Sequence, residues 1–127
     1  MIIQAGSQNL ESLSFVQADL MKPVGWSEAV ADATHVIHVV SPTPATRPED
    51  AEEMVKMAVD GVLHVFHAAK KSGVKRIVLT SASGAVLAGH KNHPELFTEE
   101  DWSNLEAPID AYQQSKTRAE QEAWRKS

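Results

Sequence analysis

Thr34-His35-Val36-Ile37-His38-Val39-Val40-Ser41-Pro42 is the stretch that decides the fold. Its apolar character is nearly continuous and β-branched, not alternating, as expected of a strand buried on both faces of a parallel sheet. Pro42 and Pro44 close the run, because proline cannot donate to a sheet ladder. A strand is therefore expected over residues 34–40.

Reading outward, the next element is a helix over 48–71. Pro48 suits a first turn, and Glu49, Asp50, Glu52 and Glu53 complement its positive end. Lys70 and Lys71 complement the other end, and Gly73 stands where a C-terminal cap belongs. Val55, Val59, Val62, Phe66 and Ala69 recur at helical spacing and give it an apolar stripe. Arg76-Ile77-Val78-Leu79 reads as a second compact strand, opening into Thr80-Ser81-Ala82-Ser83-Gly84. Upstream, residues 13–18 read as a further strand followed by Asp19, and 26–33 as a short helix. A polar loop is expected over 88–106 and a last helix over 109–125. Strands alternating with helices argue for an α/β fold with a parallel sheet. In that class ligands sit beyond the carboxyl ends of the strands. The segments to search are thus Asp19-Leu20, Val40-Ser41-Pro42 and Thr80 to Ser83.

Composition narrows the function. The 127 residues fit one domain, with 43% apolar and 23% charged residues, the balance of an ordinary globular chain. The absence of cysteine excludes thiolate catalysis, Cys-based zinc sites and thiol redox switching. A net charge of −5 without a basic cluster argues against nucleic acid or an anionic membrane as partner. No apolar run approaches the length of about 20 residues that spans a bilayer. Met1 to Gly6 has no basic leader followed by an apolar stretch, so no signal peptide is expected and a cytoplasmic location is.

The sharpest chemical pattern is Tyr112-Gln113-Gln114-Ser115-Lys116. On a helix the tyrosine and lysine lie one turn apart on a shared face. An ammonium beside a phenol favours the phenolate, lowering a phenol pKa of about 10 toward neutrality. A phenol so tuned exchanges a proton with an alcohol or carbonyl oxygen. The spacing alone is common by chance on amphipathic helices. It gains meaning from the hydroxyl-rich turn after residues 76–79, where a hydroxyl can either face the phenol across a substrate carbonyl or bond its own backbone.

With those residues in place, the sequence resembles the extended, or atypical, short-chain dehydrogenase/reductases of the NAD-dependent epimerase/dehydratase superfamily. It is most similar to the dihydroflavonol reductase, cinnamoyl-CoA reductase and carbonyl reductase branch. The matching stretches run in family order from Phe15-Val16-Gln17-Ala18-Asp19-Leu20 through Thr34 to Pro42 and Ala58-Val59-Asp60-Gly61. They continue through Val74 to Val86, Phe97-Thr98-Glu99-Glu100-Asp101-Trp102 and Ala111 to Trp124. The resemblance implies a Rossmann-like α/β fold and a carbonyl reductase using NADP or NAD. It gives Tyr112 the role of general acid, and Lys116 those of lowering the phenol pKa and holding the nicotinamide ribose. It places a serine of the turn, Ser81 or Ser83, on the substrate oxygen. Asp19 and Leu20 match the position beside the adenine, while Val40, Ser41 and Thr80 match strand ends that line the dinucleotide.

Departures from the family pattern carry expectations of their own. The usual catalytic serine position is Ala82; Ser81 or Ser83 can substitute after a small backbone shift, whereas an alternating register swings both side chains away. His64 stands where an asparagine is usual. The Gly-x-x-Gly-x-x-Gly fingerprint that brings the pyrophosphate to a helix N-terminus is absent. By resemblance the chain is a fragment lacking the first two strands, roughly 40–50 residues or one βαβ-sized piece. Residues 1–127 are then an incomplete NAD(P)-binding domain whose C-terminal substrate-binding part is absent. Binding of the cofactor by such a chain is expected to be poor, and open sheet edges invite self-association.

The remaining candidates read as structural. His64 and His67 lack a third placed ligand, His35 and His38 point to opposite faces of a strand, and His90 and His93 are expected to be exposed; no metal site is expected. Trp26, Trp102 and Trp124 read as packing anchors. Two other functions fit the same residues: a non-catalytic binding or regulatory partner, and sugar-nucleotide epimerisation or dehydration on the same scaffold.

Overall fold

The computed structural model describes residues 10–42, 51–92 and 96–127. In chain order it holds helix α1 (Trp26–Ala29), strand β1 (His35–His38), helix α2 (Ala51–Lys71), strand β2 (Arg76–Leu79) and helix α3 (Ala111–Lys126). Single 3₁₀ turns lie at Leu10–Ser12 and Ser83–Ala85. The two strands pair in parallel, with Val36 beside Ile77 and His38 beside Leu79. The α/β class and the parallel sheet with flanking helices are those read from the sequence.

The long helix forms because a broad apolar face runs along it, with Met54, Ala58, Val62, Val65, Phe66 and Ala69 all buried. It stops where expected. Gly73 takes a left-handed φ of 74°, the Gly73 N–H donates to Lys70 O, and the Val74 N–H donates to Ala69 O at 3.0 Å. That pair of bonds satisfies carbonyls the helix leaves open and turns the chain into β2 within a few residues. Pro48, Glu49 and Asp50, assigned to the start of this helix, lie outside the described residues.

Helices α2 and α3 pack together on one face of the sheet. Ala58, Val62 and Phe66 meet Ala119 and Ala123, with Ile77 and Leu79 closing the cluster from below. Two alanines on α3 allow the helices to approach closely. The opposite sheet face is bare: Ile37 is 73% exposed, Val39 68% and Val78 52%. The expectation of a strand buried on both faces is therefore corrected. Helices cover only one side among the described residues, so alternate residues of an apolar strand face outward.

Three element boundaries also change. Residues 13–18 form no strand, and Phe15 is 84% exposed, because no described strand lies beside them to supply ladder bonds. The helix expected over 26–33 is a single turn, bounded by Gly25 at φ 92° and Asp32 at φ 61°. β1 covers four residues of the seven expected. Trp124 is 67% exposed and is no packing anchor.

The segment after β2 is tied down by a distant serine. Ser103 Oγ donates to Gly84 O at 2.9 Å and accepts from the Ala88 N–H at 2.8 Å. The Ser103 and Asn104 N–H groups donate to Ala85 O and Ala88 O, both at 2.9 Å. The 83–88 turn is thereby held in one shape against α3.

Candidate active site

The start of α3 is set by the residue that precedes it. Asp110 accepts from the Gln113 N–H at 2.8 Å, while Gln113 Oε1 accepts from the Asp110 N–H at 3.1 Å, a complete capping box. Tyr112 therefore falls in the first turn and Lys116 one turn later on the same face. The Lys116 Nζ stands 5.6 Å from the centroid of the Tyr112 ring, within range of the ring's negative face. Partial burial holds the Lys116 pKa below the ordinary lysine value.

The sheet brings the other candidates to this helix. The Thr80 N–H donates to His38 O at 2.9 Å and carries the strand pairing one step beyond β2. The chain ends leaving β1 and β2 consequently run side by side. Val40, Ser41, Thr80 and Ser81 line one small cleft together with Lys116 and Glu120. Five of the residues singled out from sequence are thus gathered at the carboxyl ends of the two strands.

The serines differ in what they do. Ser81 Oγ donates to Glu120 Oε2 at 2.5 Å across 39 residues of sequence. Ser83 is exposed and lies in the 3₁₀ turn, where its carbonyl accepts from the Val86 and Leu87 N–H groups. Ala82, at the usual serine position, is in extended conformation between them. Ser81 and Ser83 also border a second cleft with Trp102 and Glu99.

Asp19 and Leu20 do not line that cleft; Leu20 lies against α2, and Asp19 is in the turn before α1. The Met21 N–H donates to Asp19 Oδ1 at 2.9 Å, and this bond holds the Asp19 carboxyl below its ordinary range. Leu20 packs over Gly61, where any Cβ would meet Leu20 Cγ at 2.7 Å. His64 Nδ1 bonds Leu20 O at 2.9 Å; a carbonyl only accepts, so this nitrogen carries the proton. His90, expected to be exposed, is half-buried, with Nε2 3.0 Å from Val86 O and its ring edge-on to Phe97 at 5.2 Å. His93 lies outside the described residues.

Glu120 escaped the sequence reading, and His38 was read there only as a structural side chain. Glu120 extends the Tyr112–Lys116 face by one more helical turn, a spacing that was legible. His38 is 3% exposed, and its Nε2 has no hydrogen-bond partner among the described residues. Burial first, and the Lys116 charge second, hold its pKa below 6.5. No group of three or more metal-ligating side chains occurs among the described residues.

The model of the 3-beta hydroxysteroid dehydrogenase/isomerase family matches residues 3–125. The chain belongs to that family. It is 35% identical over 97 residues to dihydroflavonol 4-reductase of Hordeum vulgare, covering 76% of this chain and 27% of that one. It is 36% identical over 118 residues to cinnamoyl-CoA reductase 1 of Arabidopsis thaliana, covering 90% and 33%. Among solved structures it is similar to Gre2 of Candida albicans in complex with NADPH, with a TM-score of 0.69, 26% identity and coverage of 84% and 36%. The resemblance to the dihydroflavonol and cinnamoyl-CoA reductase branch read from the sequence agrees with these matches. The family member described here spans about a third of the length of such relatives. No described helix is long and apolar enough to cross a membrane.

Proposed function

We propose that these residues are the proton-donor and nicotinamide-ribose portion of an NADPH-dependent reductase acting on a ketone or aldehyde carbonyl. The observation that carries this reading is the convergence of half-buried Lys116, beside the Tyr112 ring, with Val40, Ser41 and Thr80 at the ends of β1 and β2. The polar set suits a sugar: in the cleft the Lys116 ammonium is a donor and Ser81 Oγ keeps acceptor capacity, beside Thr80 and Ser41. It does not suit a pyrophosphate, since no described run of glycines forms a cradle.

When bound, the cofactor supplies a hydride to the carbonyl carbon. Tyr112 gives its phenolic proton to the carbonyl oxygen as negative charge develops there. Lys116 stabilises the phenolate left behind and holds the ribose, and its partial burial strengthens that electrostatic effect. The substrate-binding part, any preference for NADP over NAD, and the cytoplasmic location belong to this reading as expectations.

The test is a chimaera in which residues 13–125 replace the matching third of one of the curated relatives. Tyr112→Phe should lower kcat for ketone reduction by about 10²–10⁴-fold while leaving the KM for NADPH nearly unchanged. Lys116→Ala should damage both. A Tyr112→Phe protein with near-normal turnover refutes the mechanism.

A further inference from the structure

The Ser81–Glu120 contact has chemical content beyond packing, and it rests on the reductase reading just given. A serine hydroxyl has one proton to donate and two lone pairs with which to accept. In this fold the proton is committed: Ser81 Oγ donates to Glu120 Oε2 at 2.5 Å, and Glu120 is part-buried on the rigid, capped α3. An ionised carboxylate accepts only, so the direction of the bond is fixed, and such charge-assisted bonds are roughly twice as strong as neutral ones. What remains on Ser81 toward the cleft shared with Thr80 and Lys116 is acceptor capacity.

We propose that Glu120 is a positioning residue that fixes Ser81 as a hydrogen-bond acceptor, so that Ser81 receives a hydroxyl or amide N–H of the cofactor's ribose–nicotinamide end and does not donate to the substrate carbonyl. Polarisation of the carbonyl then falls to Tyr112, and the empty serine function at Ala82 is not restored by Ser81. Glu120 also ties the turn after β2 to the helix bearing Tyr112 and Lys116, so one bond sets the spacing of both halves of the site.

Two measurements test this independently. In the 127-residue chain itself, Ser81→Ala and Glu120→Ala should be strongly non-additive in urea unfolding. Their coupling should be about 10–100-fold in the unfolding equilibrium constant, the range expected of a bond to a charged group. Glu120→Gln, whose neutral amide oxygen still accepts, should retain a smaller coupling of about 3–10-fold. In the chimaera, Ser81→Ala should raise the KM for NADPH about tenfold with a smaller change in kcat, Glu120→Leu should reproduce that pattern, and Glu120→Gln should rescue it. Additive unfolding effects overturn the contact. A Ser81→Ala loss of about 100-fold or more in kcat at unchanged KM, or a Glu120→Leu protein with wild-type KM, overturns the acceptor role. If instead Tyr112→Phe keeps its turnover, the reductase reading fails, while the unfolding cycle still judges the Ser81–Glu120 bond.

Discussion

Gly61→Ala is the most informative single change in the fold. Gly61 is buried in the middle of α2, where alanine is normally favoured by about 1 kcal/mol. A Cβ at this position, however, meets Leu20 Cγ at 2.7 Å, Cδ2 at 3.0 Å and Cδ1 at 3.3 Å. The whole branched head of Leu20 is in the way, and its backbone is fixed by the 2.9 Å bond from His64. Overpacking of this kind costs about 1–3 kcal/mol, so the net change should be a destabilisation of about 0–2 kcal/mol. In a Leu20→Ala background the clashing atoms are gone and the same substitution should stabilise by about 1 kcal/mol. The assay is urea unfolding followed by far-ultraviolet circular dichroism for the four proteins of the cycle. Equal effects of Gly61→Ala in both backgrounds would show that the glycine is not there to seat Leu20.

The remaining expectations concern ligand, pH and assembly. Calorimetric titration of this chain with NADPH should give weak binding or none, because its sequence has no Gly-x-x-Gly-x-x-Gly run to cradle the pyrophosphate; micromolar affinity contradicts that. His38 has a depressed pKa in the fold, so the unfolded chain binds more protons below pH 6.5. Its contribution to stability is complete above 6.5 and falls as pH drops from there toward the folded pKa. Urea midpoints measured from pH 7.5 to 5 should therefore decline more in the wild type than in His38→Leu, and parallel curves refute the assignment. The bare sheet face of Ile37, Val39 and Val78 should make the chain self-associate with concentration in sedimentation velocity, and Ile37→Lys should reduce this; a monomer at every concentration removes the idea.

Local chemistry was legible where it is decided locally. β2 falls at Arg76–Leu79 as read, α2 ends as its Lys70-Lys71 and Gly73 indicate, and α3 starts within two residues of the expected place because Asp110 caps it. What sequence could not supply were partners across the chain. Leu13, Phe15 and Val16 have the residue types of a strand, yet a strand exists only where another backbone pairs with it. The apolar run around Ile37 signals burial on two faces, whereas the described fold covers one. Within the site, the Tyr112–Lys116 face followed from helical spacing. The reach of Ser81 to Glu120 and of His64 to Leu20 spans 39 and 44 residues, distances over which periodicity carries no information.

The tie formed by Ser103 gives the turn beside the site its own cooperative opening unit. Residues 85–88 and 103–104 exchange hydrogen bonds in both directions, with Ala88 serving as donor to the serine hydroxyl and as acceptor from Asn104. Breaking one of these bonds loosens the others, so the Ala88, Ser103 and Asn104 amides should exchange with solvent deuterium at a common rate, set by a single local unfolding event. Ser103→Ala would release that event at lower free energy and speed exchange at all three amides together. The helix bearing Tyr112 and Lys116, secured by its own cap and by α2, would keep its protection.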